Sequence, residues 1–395
     1  VPLTVSKRAL ISSAATIGGM AMVGASFAAS GLMQRRSFRP GEPWLDTRGA
    51  PIQAHGGSIL AVDGTFYWYG ENKERTKPSS GIWHWGVRCY ASNDLYNWDD
   101  LGLIIPPVTD DRSSPLHPSS MLDRPHIIHN KATGKVVCWV KIMEKDGRQT
   151  RTVLTADRIT GPYTIVRTGL QPLGMNAGDF DLVVSSSDGK AYQYFERVHT
   201  ELICADLTAD YTDVTGYYST HFPLGAPPLV REAPAHFVRN RRHYLITSGT
   251  TGYHPNPSEV AVADTFHGPW TVLGDPHPSD KSRTSFNSQI TSVFKHPGKK
   301  DLYIALADRW IPALEQLEGS GFATGETSRL FQSAFAHFFS DEGLANLTEA
   351  ERKELDSTPR DADTSVATYV WLPIRFDGDL PTIAWRDEWR LDEFG

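Results

Sequence analysis

The chain has 395 residues, 40% of them hydrophobic and 22% charged, which suits a large globular core and excludes a disordered chain. A formal net charge of −7 offers no basic patch, so nucleic acid is excluded as an expected partner.

The first forty residues read apart from the rest. Lys7 and Arg8 precede an apolar, small-residue run over 9–29, and Ser26, Phe27 and Ala28 have the small-x-small form of a cleavage site. Residues 1–40 are read as a secretory signal and linker, with the polar linker starting at Gln34 and reaching Pro43. Residues 6–11 loosely resemble a twin-arginine signal with Lys7 in place of the first arginine. Secretion, extracellular or periplasmic, is the expectation. Gly18 and Gly19 leave the run weakly apolar for a membrane anchor. Three cysteines, Cys89, Cys138 and Cys204, fit no zinc spacing, and an odd count leaves at least one free. Cys138 and Cys204 sit in apolar strands and read as buried thiols.

From residue 41 onward short strands and Gly, Asp and Asn turns dominate, which predicts an all-β fold. The first hairpin runs 58–62, turns at Asp63 and Gly64, and returns over 65–69. The second pairs 125–129 with 135–140, the third 180–185 with 190–194, the fourth 235–238 with 243–247, and the fifth 290–294 with 301–306. The turns are about 50 to 70 residues apart, the span of a four-stranded propeller blade. Further strands are expected over 87–92, 98–104, 152–156 and 260–263, with Gly-Pro-aromatic steps at Gly161 and Gly268. Five such units predict a five-bladed β-propeller over 41–395; a β-sandwich does not account for the repeat. Residues 311–367 carry no hairpin signal, and Thr348 with Glu351 has capping-box spacing, so an insertion with one short helix is expected there. The final strands, 369–376 and 382–385, either close the last blade or complete the first.

One polar residue recurs at the same phase of each hairpin. His55 lies nine residues before Gly64, Asp123 eleven before Gly134, Asp179 ten before Gly189, Glu232 nine before Arg241 and Gln289 nine before Gly298. Innermost propeller strands begin at the central axis, so these five side chains are expected to ring one pocket. Converging carboxylates raise one another's pKa, which keeps one protonated as an acid near neutral pH. Glycoside hydrolysis needs such an acid and a second group for water. Glu232, with Ala233 and Pro234 as apolar neighbours, is the acid candidate; an ion pair with Arg231 or Arg239 is the bland alternative.

The segments Gln53-Ala54-His55-Gly56-Gly57, Phe66-Tyr67-Trp68-Tyr69-Gly70-Glu71, Arg231-Glu232-Ala233-Pro234-Ala235, Ser288-Gln289, Asp308-Arg309-Trp310 and Tyr369-Val370-Trp371-Leu372-Pro373 resemble glycoside hydrolase family 43, in its exo-β-1,3-galactanase-like branch. The resemblance implies a five-bladed propeller and an inverting hydrolase releasing galactose from β-1,3-galactan. Alternatives are an α-L-arabinofuranosidase or β-xylosidase of the same family, or a non-catalytic carbohydrate-binding propeller. The wider family's Asp base falls at Gly56, so that base is absent. The resemblance implies that Gln289 takes or assists this role, that Asp179 tunes the acid, and that Asp123 is a sugar ligand or surrogate base. His126 and Tyr253 depart from the branch, which puts the exact sugar and linkage in question. His55, Glu71, Tyr253, Arg309 and Trp310 are expected to bind substrate, and Trp83 and Trp85 are stacking candidates. No cofactor is expected to be required; a structural calcium in the central channel is left open. The expected partner is a plant or microbial polysaccharide or oligosaccharide, and the chain is expected to be a monomer with no membrane association once the signal is removed.

Overall fold

Twenty strands form five four-stranded antiparallel sheets, each ordered as the chain runs. The computed structural model describes residues 34–223, 227–313, 326–338, 347–357 and 362–395. The signal-peptide reading of 1–33 falls outside them.

Blade 1 holds β1 (His55–Val62), β2 (Thr65–Glu71), β3 (Val87–Ser92) and β4 (Asp99–Ile105). Blade 2 holds β5 (Met121–Asn130), β6 (Lys135–Met143), β7 (Gln149–Ala156) and β8 (Thr164–Leu170). Blade 3 holds β9 (Ala177–Val184), β10 (Ala191–Arg197), β11 (Glu201–Leu207) and β12 (Val214–His221). Blade 4 holds β13 (Arg231–Arg239), β14 (Arg242–Gly249), β15 (Glu259–Ala263) and β16 (Thr271–Gly274). Blade 5 holds β17 (Gln289–Lys295), β18 (Tyr303–Arg309), β19 (Thr368–Asp377) and β20 (Leu380–Ile383). The first strand of each blade touches the first strands of both neighbours, so β1, β5, β9, β13 and β17 close a ring around the axis. The protein is a five-bladed propeller, and the last two strands complete blade 5.

The core is divided between blades. Trp68, Trp98, Trp371 and Trp389 fill the seam of blades 1 and 5. Ile127, Cys138 and Val140 meet Val87 and Cys89 between blades 1 and 2. All three cysteines are free and buried, and burial pushes the Cys89 thiol up to about 12.

Two expectations are corrected. The stretch from Gln34 to Pro43 is not a free linker from residue 35 on. Phe38 is buried, forms an antiparallel bridge with Trp389 and stacks on its ring at 4.0 Å. The insertion between β18 and β19 carries two helices, α1 (Glu326–Phe338) and α2 (Glu349–Ser357), where one was expected. The expected cap begins α2: Thr348 Oγ1 accepts from the Glu351 N–H at 3.2 Å, and Glu351 Oε2 accepts from the Thr348 N–H at 2.9 Å. The additional helix is α1, whose Phe331 and Ala334 are buried at helical spacing.

Candidate active site

Three of the innermost strands break their ladder at the same point, immediately after a polar residue. Register shifts fall between His55 and Ser58, between Asp123 and His126, and between Glu232 and Ala235. The next residue is left-handed in each case: Gly56 at φ 62°, Arg124 at 53° and Ala233 at 46°. In blades 2 and 4 a proline follows, Pro125 or Pro234, and its missing N–H suits the interruption. Such bulges re-aim side chains at strand ends.

A pocket of about 210 Å³ opens at this end of the axis. Asp123, Asp179, Glu232 and Gln289 all line it, as do Glu71, Tyr253 and Trp310. His55 does not. It is fully buried, with Nδ1 2.9 Å from Asp308 Oδ1 and Nε2 3.3 Å from the Tyr369 hydroxyl, and it stacks on Tyr369. The bulge at Gly56 and Gly57 turns it away from the pocket. Arg309 also lies outside the lining; its guanidinium donates to the backbone carbonyls of Phe286 and Asn287. Alternation along β18 sends Asp308 inward and Arg309 the other way.

Of a second set of side chains the sequence reading singled out only Glu71. Four of the five polar residues of the inner ring pair across the ladder with a residue near the end of the return strand. His55 faces Glu71, Asp123 faces Lys141, Glu232 faces Ser248 and Gln289 faces Asp308. Glu196, the last but one residue of β10, also lines the pocket. The signal was the same hairpin count continued through the turn. Arg124 is the other omission. It sits in the bulge of blade 2 and donates to Asp179 Oδ2 at 2.8 Å and to Gln289 Oε1, tying blades 2, 3 and 5 together across the axis.

Charge is tightly partnered here. Lys141 lies 2.6 Å from Asp179 and 3.5 Å from Asp123. Lys73, fully buried, lies 2.8 Å from Glu71 and 3.7 Å from Asp123. Burial alone would raise the Asp179 carboxyl, but Arg124 and Lys141 hold it well below the usual range. Glu232 goes the other way. Burial, then the negative charges of Asp179 and Glu196, hold it well above the usual range against the pull of Lys141 and Arg124. Burial likewise pushes Glu71 up to about 7, against Lys73. The two carboxyls Asp179 and Glu232 are thereby driven in opposite directions, Asp179 toward the anion and Glu232 toward the protonated acid.

Gly56 leaves room for the Glu71 carboxyl. A Cβ there would come within 2.4 Å of Glu71 Oε1, so the Glu71 carboxyl occupies the space that a side chain at 56 would need. Aromatic rings form one wall: Tyr253 lies 6.3 Å from Trp83 and 5.4 Å from Trp310. The insertion reaches this wall, because Phe331 of α1 stacks on His254 at 4.2 Å. Trp85 is instead covered by Arg75, 3.7 Å above its ring.

The channel offers little to a calcium ion. Among the described residues no group of three or more His, Cys, Asp or Glu side chains is arranged to hold a metal, and both His55 ring nitrogens are engaged. The cations Arg124, Lys141 and Lys73 already answer the carboxylates that a calcium would need.

The model of glycosyl hydrolases family 43 matches residues 51–322. The chain belongs to this family. Solved structures agree. A family 43 β-1,3-galactosidase superimposes with a TM-score of 0.71 at 28% identity, covering 91% of this chain and 65% of its own. Exo-β-1,3-galactanase from Phanerochaete chrysosporium, with galactose, gives 0.69 at 25% identity, covering 89% and 68%. The enzyme from Clostridium thermocellum gives 0.66 at 25%, covering 89% and 66%. The chain thus spans about 65% of the length of the first of these relatives. No curated protein sequence matches significantly. Family 43 is a family of glycoside hydrolases.

Proposed function

We propose that this chain is an exo-acting, inverting glycoside hydrolase, and that it releases galactose from β-1,3-galactan. The observation that carries the reading is the size and floor of the pocket. Its 210 Å³ suits one terminal sugar ring, and Arg124, joined to Asp179 and Gln289, crosses the axis at this level. The galactanases and galactosidase at 25–28% identity support galactose as that ring.

Glu232 is the acid that gives its proton to the leaving oxygen. Asp179, held as an anion, keeps that proton on Glu232. Water attacks the anomeric carbon from the opposite face, and its proton passes to Asp123. Gln289 acts by position. Its Nε2 donates to Glu232 and Ser248, and its Oε1 accepts from Arg124 and Trp310. An imidic tautomer would put a proton on an oxygen that already accepts two, so the amide orients the acid and the water and takes no proton itself. Tyr253 and Trp310 supply faces for the ring. We also propose export, on the signal-like residues 1–33, to be checked by N-terminal sequencing of protein recovered from the medium.

The test is sugar release from β-1,3-galactan, arabinan and xylan, with proton NMR of the first-formed anomer. Galactose appearing first as the α-anomer is expected. Arabinose or xylose alone would move the enzyme to the arabinofuranosidase or xylosidase reading. Binding of galactan without release would make it a carbohydrate-binding propeller.

A further inference from the structure

Beside the catalytic pocket lies a groove of about 910 Å³. Trp83, Met143 and Tyr253 border both spaces, so the groove continues from the mouth. One wall comes from the loop after β2, another from the turn between β6 and β7, and Thr364, near the end of the insertion, closes it.

The charge in this groove is unlike that of the chain. Four cations line it, Lys77, Arg112, Lys145 and Arg148, against two carboxylates, Glu144 and Asp146; four minus two leaves a surplus of two positive charges in a chain of net charge −7. Both carboxylates are engaged locally. Asp146 pairs with Arg148 at 2.8 Å, and Glu144 accepts from the Thr150 hydroxyl at 3.1 Å. Lys77, Arg112 and Lys145 are exposed and form no ion pair among the described residues. Around the neighbouring pocket, by contrast, Lys73, Arg124 and Lys141 are each within reach of a carboxylate.

We infer that this groove holds the leaving-group side of the substrate and selects an acidic saccharide there, one carrying a carboxylate or a sulfate. The inference rests on the exo-acting reading above: a terminal ring fills the small pocket, its floor is crossed by Arg124, and the rest of the chain must leave through the mouth. Three cations facing one groove attract an anionic substituent over several ångströms, and salt screens that attraction. Recognition of a neutral chain would need no such surplus.

The test uses the full protein and three β-1,3-galacto-oligosaccharide sets: neutral, uronate-bearing and sulfated on the reducing side. At low salt kcat/KM for an acidic set should exceed the neutral one by about 5- to 10-fold, and the advantage should vanish at high salt. The variant with Lys77→Ala, Arg112→Ala and Lys145→Ala should lose the advantage while keeping the neutral rate. The preferred acidic set identifies the anion. Equal rates for neutral and acidic sets, or an advantage that survives the triple substitution, overturn the inference. If no galactoside is cleaved at all, the galactanase reading fails separately, and the groove is then read by titrating Glu232→Gln protein with a uronate-bearing galactose disaccharide and its sulfated counterpart. Binding of either that the triple substitution abolishes supports the acidic groove; absence of binding by both, or binding unchanged by it, overturns it.

Discussion

Gln289 donates from Nε2 to Oε1 of Glu232 at 3.2 Å, so the amide and the acid touch before any substrate arrives. The contact gives a pH test. In its proposed role Glu232 acts in the protonated form, so activity should fall as pH rises through its pKa. Gln289→Glu replaces the donor with a second carboxyl beside the first. An added negative charge raises the acid's pKa. The basic limb of the pH–rate profile should therefore move upward, by about 1 unit. Arg124 would pair with the new carboxylate and limit the shift. A profile superimposable on that of the wild type would mean that the two side chains do not share a site in solution.

Removing the acid itself should depend on the leaving group. Glu232→Gln cannot deliver a proton to the glycosidic oxygen, and general acid catalysis is worth about 10²- to 10⁴-fold. The loss in kcat should lie in that range for galactan. It should shrink by an order of magnitude or more for an aryl galactoside, whose leaving group needs little protonation. Equal losses on the two substrates would show that Glu232 acts as something other than an acid.

The inner ring was legible because it follows a count. One polar residue precedes each hairpin turn by nine to eleven positions, and four of the five line the pocket. His55 keeps the count and still points elsewhere, because a glycine bulge rotates it toward Asp308 and Tyr369. Phase along a strand specifies a face only while the ladder is unbroken. Arg124 was hidden for the same reason: within a regular strand it would point away from the face Asp123 uses, and only the bulge brings both to the pocket. Lys141 and Glu196 required the pairing register, which depends on how each turn closes. The inserted α1 lacks the capping pattern that marks α2, so its apolar spacing passed unread among the aromatic residues of 311–367.

Lys141 and Asp179 should move the same limb in opposite directions. Lys141 pulls the Glu232 pKa down and Asp179 pushes it up. Lys141→Met should shift the basic limb to higher pH, and Asp179→Asn to lower pH. Both partners are buried and 2.6 Å apart, so the methionine leaves Asp179 to Arg124 alone and Asp123 to the more distant Lys73. Breaking a buried pair by removing one partner costs on the order of 3–5 kcal/mol, to be read by denaturant unfolding at neutral pH. Shifts of the same sign for both variants would contradict the charge assignment.

Closure of the ring depends on a residue far from the pocket. Among the described residues no strand preceding β1 joins blade 5, and blades 1 and 5 are held by side-chain packing and by the crossing of the segments around Phe38 and Trp389. Phe38 is the centre of that crossing. Its N–H donates to the Trp389 carbonyl at 2.9 Å, and its carbonyl accepts from the Trp389 N–H at 3.1 Å. Its ring lies against Tyr96 of blade 1, Trp371 of blade 5 and Trp389. Phe38→Ala keeps the backbone bridge and removes the ring, and such a truncation costs about 3–5 kcal/mol. Thermal and denaturant unfolding should both report a loss of that size. The active-site residues on blades 2 to 4 do not touch Phe38, so KM at a temperature well below the transition should stay within about twofold of wild type, as expected for a distant, independent site. A loss under about 1 kcal/mol would place the closure in the tryptophans of blades 1 and 5 and leave Phe38 as a mere cover over them.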